Sequence, residues 1–330
     1  MAGTILPGDG ELQLGPVRLP AGRRFTPYEH DEPVAWLTSR TVADPGLVWS
    51  ALTDLHSETS LMPVVLNDDE DDYEDLFMDP RDVAELDRLD AAELLAARWE
   101  GELDDDEEQA SWHWETPRVN EFLGLKRAGE GPYSLFDIVR AVVRVAEDTD
   151  ANAELDRLSE LDRQEAGPEY EERAAGSRER EARRAEVPFP GLAPATEGSL
   201  SSAARMAALR SIRPARIGLI AARRPADVLP TVGWTCFDDP AYEDGIRNAV
   251  WIGAVLRSWE NRFGARLLAI GPGAEIRLLV ERPPRTLGAA QQIAAEHSAF
   301  CTECGGRGLR TVREIAPALV DAPIWTFWWD

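Results

Sequence analysis

Apolar runs and helical spacings alternate in the first part of the chain. Residues 33–38 (Pro-Val-Ala-Trp-Leu-Thr) and 61–66 (Leu-Met-Pro-Val-Val-Leu) are short apolar runs that predict two buried strands. Between them, Asp44 and Pro45 favour the start of a helix, with Asp44 as N-cap and Pro45 at the first helical position. A further helix is predicted after Pro80, and its apolar face is formed by Val83, Leu86, Leu89, Leu94, Leu95 and Trp99. The pattern predicts a small α/β unit at this end of the chain.

The C-terminal part has the clearest order of predicted elements. These are a strand at 216–221, a helix at 244–263, strands at 266–270 and 275–280, helices at 286–297 and 311–320, and a strand at 324–329. Gly271, Pro272 and Gly273 predict a hairpin turn between the two middle strands, and Thr286 is the expected cap of the helix that follows. This β-α-β-β-α-β order is that of a ferredoxin-like unit, with an antiparallel sheet and its helices on one face. The expected fold class is α+β.

Acidic residues are concentrated in one part of the chain. Overall, 35 basic and 60 acidic side chains give a formal net charge of −25. Residues 68–108 contain 20 acids and 3 arginines, whereas residues 200–330 contain 13 acids and 16 arginines. The strong negative charge therefore belongs to the first part of the chain, and the C-terminal part is nearly neutral.

Composition also predicts the domain boundaries. Residues 148–186 are dominated by Asp, Glu, Arg and Ala, and we expect residues 126–187 to form a charged helical connector. Three prolines at residues 188–194 then mark the entry to a second folded unit. We therefore expect an acidic N-terminal α/β domain over residues 1–125, the connector, and a C-terminal α+β domain over residues 188–330 that folds on its own.

The overall composition excludes several classes of protein. An acidic chain lacks the basic surface that general nucleic-acid binding requires. The sequence contains no run of 18 apolar residues and no signal-peptide pattern at residues 1–10, so we expect a soluble cytoplasmic protein without a membrane partner. Three cysteines are too few for a disulfide framework. Lys126 is the only lysine and lies in a polar stretch without the phosphate-loop glycine pattern, which disfavours P-loop and Schiff-base chemistry.

The sharpest local motif is His297-x3-Cys301-x2-Cys304, followed by two glycines. Two thiolates on a tight turn suit a tetrahedral zinc ion, and His297 lies one helical turn before Cys301. A structural zinc site needs four ligands, however, and the one other thiol is that of Cys236. We therefore expect no cofactor, with His297 and Cys301 packed against the sheet. Zinc bound by His297, Cys301 and Cys304, or a redox cysteine pair, is the alternative.

The acid run at residues 68–72 does not fit a calcium loop. An EF-hand needs glycine at its sixth position, and Tyr73 stands there if Asp68 is first. A solvated acidic loop is the expected structure, and a surface for a basic protein partner is the functional alternative.

The aromatic C-terminal end alternates along a predicted strand. Period two places Trp325, Phe327 and Trp329 on one face, expected to be the core, and Trp328 on the other. On the predicted helix at 244–263, Glu260 and Arg262 are expected to lie on the exposed polar side. A catalytic carboxylate at Glu260 is the alternative to this exposed charge.

Three C-terminal segments resemble the DUF4253 family of bacterial proteins of unknown function. They are residues 256–265 (LRSWENRFGA), 295–301 (AEHSAFC) and 325–330 (WTFWWD). Residues 33–38, 48–66 and 189–194 are similar to sequence that often precedes this domain in actinobacterial members. The resemblance covers residues 215–330. It implies a bacterial cytoplasmic protein, but no particular activity or catalytic residue. This chain departs from the family pattern at Cys304 and in its long charged middle.

The leading hypothesis is a non-enzymatic binding or interaction protein that docks a basic macromolecular partner. Its specific version is an immunity- or regulator-type role. The sequence contains no GxSxG or HExxH motif, and its four histidines show no metal-site spacing among themselves. The alternative is a small-molecule enzyme or a zinc-binding protein, with His297, Cys301 and Glu260 as the candidate catalytic residues.

Overall fold

A computed structural model defines the fold. It describes residues 6–27, 30–66, 77, 80, 83–99, 157–158, 161, 189–234, 249–271, 274–301 and 312–329. The strands are β1 (Gly10–Leu14), β2 (Val17–Phe25), β3 (Ala35–Thr38), β4 (Met62–Leu66), β5 (Arg216–Ile220), β6 (Ala265–Gly271), β7 (Glu275–Val280) and β8 (Ile324–Phe327). The helices are α1 (Pro45–Asp54), α2 (His56–Thr59), α3 (Ser202–Arg210), α4 (Val228–Val232), α5 (Ala249–Phe263), α6 (Leu287–Phe300) and α7 (Val312–Leu319). Short 3-10 helices span Val83–Arg88 and Pro225–Asp227, and residues 91–99 are also helical. This mixture confirms the α+β class.

Local capping explains where several helices begin. The Thr286 hydroxyl accepts a hydrogen bond from the Ala289 N–H at 3.3 Å, which confirms Thr286 as the cap of α6. Asp44 does occupy the N-cap position of α1, but its side chain makes no capping hydrogen bond there. The single helix predicted after Pro80 is two elements, because the Asp90 carboxylate accepts a hydrogen bond from the Ala92 N–H at 2.7 Å and begins a new helix.

The eight strands form one sheet in the order β1-β2-β3-β5-β4-β6-β7-β8. Neighbouring strands are antiparallel except for β4 and β6, which are parallel. In the register of that parallel pair, Val65 lies beside Ala269 and Leu66 beside Ile270. The sheet is therefore mixed, and not purely antiparallel as the sequence predicted.

The C-terminal elements follow the predicted order along the chain, but they do not form a ferredoxin-like unit alone. β4, from the N-terminal part, lies between β5 and β6 and pairs with both. β5 also pairs with β3 on its other edge. The first strand of the expected unit therefore has two neighbours from the N-terminal part, which local periodicity does not reveal.

One face of the sheet is covered by α1 and α3. Leu279 of β7 and Ile324 of β8 are directly paired, and both belong to the apolar cluster on this face. Trp49 of α1 and Leu209 of α3 are buried in the same cluster.

The opposite face is covered by α5 and α6. Leu278 and Trp325 are directly paired, and each is one residue away from the members of the first cluster, so their side chains point the other way. The Trp325 ring contacts Trp259 of α5 and His297 of α6. Helices therefore cover both faces, which corrects the expectation of helices on one face.

The chain divides into two compact units. One unit contains Met1–Ala96, Pro190–Asp238 and Asp244–Asp330, and the other contains Ala97–Phe189 and Asp239–Glu243. The N-terminal and C-terminal segments that composition assigned to separate domains thus share one sheet and one unit. In the second unit, the rings of Trp99 and Phe189 contact each other, with centroids 6.1 Å apart.

No helix in the described ranges combines the length and the apolar character needed to cross a lipid bilayer.

Candidate functional site around His297

The candidate site lies where α5 and α6 pack on the aromatic end of the sheet. Trp325 and Phe327 point from β8 towards these helices and are buried, as the alternation predicted, and Trp329 is buried just beyond the strand. The Trp259 ring of α5 stacks on Phe327 at a centroid distance of 5.2 Å. The Phe300 ring of α6 contacts Phe327 edge-on at 4.9 Å. Such aromatic pairs stabilise a core by more than the burial of their surface alone. His297 and Cys301 therefore lie in a tightly packed aromatic environment.

His297 is enclosed by this aromatic cluster. Its ring centroid lies 5.1 Å from that of Trp259, 4.6 Å from Trp325 and 4.8 Å from Phe327. Only 5% of the residue is exposed, and Nε2 is buried with no hydrogen-bond partner among the described residues. Burial disfavours the charged imidazolium and lowers the pKa of His297 to about 3. The imidazole is therefore neutral near pH 7.

The Glu296 carboxylate, next to His297, is fully buried and accepts four hydrogen bonds. Arg262 donates from Nη1 to Oε1 at 2.7 Å and from Nη2 to Oε2 at 2.6 Å. Trp259 donates from Nε1 to Oε2 at 2.8 Å, and the Ala193 N–H donates to Oε1 at 2.7 Å. A buried carboxylate is tolerated because these donors, one of them cationic, replace its water.

This network was not predicted from the sequence. Arg262 was expected on the exposed face of its helix, but its side chain is only 14% exposed and pairs with Glu296. The available signal was an acid within the otherwise apolar stretch of α6. The network joins α5, α6 and the segment around Ala193, whose carbonyl also accepts a hydrogen bond from Arg262 at 2.8 Å.

Cys301 ends α6 and is 1% exposed. It lies one helical turn after His297, and its N–H donates to the His297 carbonyl at 2.9 Å. Cys301 is disulfide-bonded, and its Sγ lies 3.1 Å from the Trp328 carbonyl oxygen. The other two cysteines, Cys236 and Cys304, lie outside the described residues.

Glu260 takes part in a different ion pair. Arg224 donates from Nε to its Oε2 at 3.0 Å and from Nη2 to the Asn261 side-chain oxygen at 2.8 Å. The structure therefore brings His297 and Cys301 together, whereas the Glu260 carboxylate is paired with Arg224.

A second buried acid, Asp227, ends the short 3-10 helix Pro225–Asp227. Asp227 is 1% exposed, and its Oδ1 accepts a hydrogen bond from Arg257 Nε at 2.7 Å, while Arg257 Nη1 donates to Asp87 at 2.7 Å. Burial alone would lower the pKa of Arg257, but the hydrogen bonds and charges of Asp227 and Asp87 outweigh it and raise that pKa. Oδ2 of Asp227 is buried and has no hydrogen-bond partner in the part of the chain that the structure describes. This triad was not predicted from the sequence, because its members are far apart in the chain.

The metal hypothesis rests on residues that are only partly described. Within the described ranges, no group of three or more His, Cys, Asp or Glu residues is placed to hold a metal ion. Cys304 lies outside these ranges. The expectation of no cofactor stays a prediction, to be checked by measuring zinc in protein purified without added metal.

Together, the fold and the site define a mixed α+β protein in which α6 places a buried histidine and a buried carboxylate between α5 and the sheet. Residues 216–330 match the model of the family DUF4253, a domain of unknown function, which confirms the resemblance noted in the sequence. The matched segment begins at β5 and includes the whole candidate motif, whereas β4, which pairs with β5 and β6, lies outside it. No curated protein and no solved structure matches the chain.

Proposed function

We propose that the protein is a non-enzymatic binding protein that docks a basic macromolecular partner through its acidic segments. The observation that carries this proposal is the distribution of charge between the described core and the rest of the chain. The described ranges contain 20 basic and 19 acidic residues. Subtracting these from 35 and 60 leaves 15 basic and 41 acidic residues elsewhere, a formal charge of −26 against +1 for the described part.

Ion pairing supports the same division. In the described core, Glu296, Asp227 and Glu281 each pair with an arginine at 3.0 Å or less. By contrast, residues 68–108 contain 20 acids and only 3 arginines. Three arginines can neutralise only a few of these charges, and a field of one sign attracts and steers a partner of the opposite sign.

The geometry around the candidate motif favours binding over catalysis. His297 is enclosed by three rings, Glu296 is saturated with donors, and Glu260 is paired with Arg224. These groups contribute to packing and to buried hydrogen bonds, which are structural roles. An immunity- or regulator-type protein that masks a basic partner is the specific form of the proposal.

The test compares two variants that each lose five acidic charges. In the first, the acids of residues 68–72 are changed to the corresponding amides. In the control, the same change is made at five exposed acids of the described core, namely Asp31, Glu32, Asp44, Asp54 and Glu58. The partner is the basic protein that co-purifies with the native chain, identified by mass spectrometry.

Association rates with that partner are then measured against ionic strength. We expect the first variant to associate about tenfold more slowly at low salt and the control to change less than twofold, because steering depends on where the charge is concentrated. The difference should vanish at about 1 M salt, where the Debye length is ~3 Å. Equal rates and equal salt slopes for wild type and the first variant would show that the acids serve solubility alone.

A further inference from the structure

The strand β1 forms one edge of the eight-stranded sheet. Among the described residues, β2 is the one strand that pairs with it. None of its five residues is buried: Glu11 and Gln13 are exposed, and Gly10, Leu12 and Leu14 are half-buried. β8, at the opposite edge of the sheet, has two buried residues among its four. β1 is therefore the edge that leaves more surface open to a further strand.

The backbone groups of Glu11 and Gln13 point away from β2. Residues 15–16 form a two-residue turn, and Leu14 and Val17, which flank it, are paired. Such a flanking pair exchanges backbone hydrogen bonds, and the direction of these groups then alternates along the strand. The one irregularity in the register places its extra residue in β2, so the alternation along β1 is continuous. The outer edge of β1 thus presents the N–H and C=O groups of two residues.

A second copy of β1 fits this edge in the antiparallel direction, with Leu12 at the two-fold axis. In that register Glu11 lies opposite Gln13 of the second copy, and the outward backbone groups of these two residues meet as hydrogen-bonded pairs. All five residues of each strand are paired. A register centred on Glu11 would overlap fewer residues and would place two carboxylates directly opposite each other, which is destabilising. The Leu12-centred register avoids this repulsion.

The apolar side chains of β1 also favour this pairing. Leu12 and Leu14 point to the opposite face of the strand from Glu11 and pack against the apolar cluster on the α1 and α3 side of the sheet. Both are only half-buried at this end of the cluster. In the Leu12-centred register the two Leu12 residues form a non-hydrogen-bonded pair, in which side chains approach most closely. Pairing therefore removes apolar surface of both copies from water.

We propose that two copies of the chain associate through β1 and form one continuous sheet across a two-fold axis at Leu12. The edge is self-complementary, as a two-fold dimer requires. A contact between two five-residue strands falls below the roughly 1,200 Å² of stable interfaces, so the dimer is transient. Because each chain carries a net charge of −25, salt strengthens this association, whereas salt weakens the docking of a basic partner.

A disulfide across the axis tests the register. Two cysteines at position 12 would face each other with Cα atoms about 4.5 Å apart, which a disulfide can bridge. We expect full-length Leu12→Cys to form a covalent dimer under a mild oxidant at ~0.5 M salt. Gln13→Cys should form about fivefold less, because position 13 lies opposite Glu11 and not opposite itself. Wild type, treated alike, measures any dimer formed through the three native cysteines.

Opposite charges introduced at Gln13 test the pairing without a covalent bond. Gln13→Lys places a cation opposite Glu11 of the second copy, whereas Gln13→Glu places an anion there. We expect the dimer dissociation constant to fall about fivefold with lysine and to rise about fivefold with glutamate, because the pair occurs twice in the dimer. Gln292→Lys and Gln292→Glu, at an exposed position of α6, change the net charge equally and should alter the constant less than about twofold.

Sedimentation equilibrium of the full-length chains at ~0.5 M salt measures these constants. Wild type that stays monomeric up to ~1 mM would overturn the proposal, as would equal effects of Gln13→Lys and Gln292→Lys or equal covalent yields for Leu12→Cys, Gln13→Cys and wild type. Growth beyond a dimer would also overturn it, because β1 of one copy on β8 of the next gives an open chain of copies.

Discussion

At the scale of single residues, the imidazole of His297 couples the stability of the core to pH. Its pKa is lowered to about 3 in the folded protein, whereas an exposed histidine titrates near 6.5. Between these values the unfolded chain binds the proton and the folded chain does not, so acid favours unfolding. The free energy of unfolding should fall by about 1.4 kcal/mol per pH unit from this group as pH drops from 6.5 towards 3.

We predict that His297→Gln removes this contribution, although it also lowers stability at pH 7. The measurement is urea unfolding at pH 7 and pH 5 for His297→Gln and for His30→Gln, a change at an exposed histidine. Each variant loses one histidine, one buried and one exposed, so the difference between their pH slopes isolates His297. Identical slopes would contradict an imidazole that is neutral in the core.

Neutralising the Glu296 carboxylate should lower the free energy of unfolding most. In Glu296→Gln the amide accepts fewer of the four hydrogen bonds and leaves the Arg262 guanidinium buried without its counter-charge. We predict a loss of ~3 kcal/mol in the free energy of unfolding, as for other broken buried pairs. Glu11→Gln removes an ion pair with Arg18 whose side chains are both exposed, and denaturant unfolding should show no change. If the two changes lowered the free energy of unfolding equally, the Glu296–Arg262 pair would stabilise the protein no more than an exposed ion pair does.

At the scale of elements, the close approach of α1 and α3 depends on Gly46. A Cβ atom at this position would lie 2.2 Å from the Leu209 carbonyl oxygen, which is backbone and cannot turn aside. We predict that Gly46→Ala separates the two helices and lowers the free energy of unfolding by ~2 kcal/mol. Gly288→Ala in α6 is the matched control, because a Cβ there meets nothing within 4 Å. Because alanine has a higher helix propensity than glycine, Gly288→Ala should stabilise the protein by up to ~1 kcal/mol.

The order of the elements was largely predictable from local pattern. The strand predicted at 275–280 coincides with β7, and the expected Thr286 cap starts α6. Both depend on side chains a few residues apart, whose spacing is set by the geometry of a strand or of a helical turn. The start of a new helix at Asp90 was not predicted. A capping side chain can divide one helix into two while the apolar residues on either side keep their helical spacing.

At the scale of the whole molecule, the shared sheet decides which fragments can fold. In a fragment of residues 188–330, β5 would lose both of its neighbours, β3 and β4, and β6 would lose its parallel neighbour β4. We therefore predict that this fragment lacks a sharp thermal transition, contrary to the autonomy that composition suggests. A chain in which a Gly/Ser linker of ~30 residues replaces residues 97–189 retains all eight strands and should unfold cooperatively.

Calorimetry of the 188–330 fragment and of the linker chain, side by side, checks this prediction. A cooperative transition in the 188–330 fragment would mean that β4 is dispensable for the C-terminal core. Failure of the linker chain alone would instead show that the second compact unit is needed for the first to fold.

By itself, the sequence determined the mixed α+β class, the order of the C-terminal elements, the burial of alternating aromatic residues in β8 and the resemblance of residues 216–330 to DUF4253. These follow from patterns within short stretches, where covalent spacing dictates which side chains share a face. Only the tertiary structure decided that β4 separates β5 from β6, and that Ala193, Trp259 and Arg262 converge on Glu296. The reason is physical: strand pairing and burial of a charge depend on groups far apart in the chain, and the energy of their contact exists only once the intervening loops have closed.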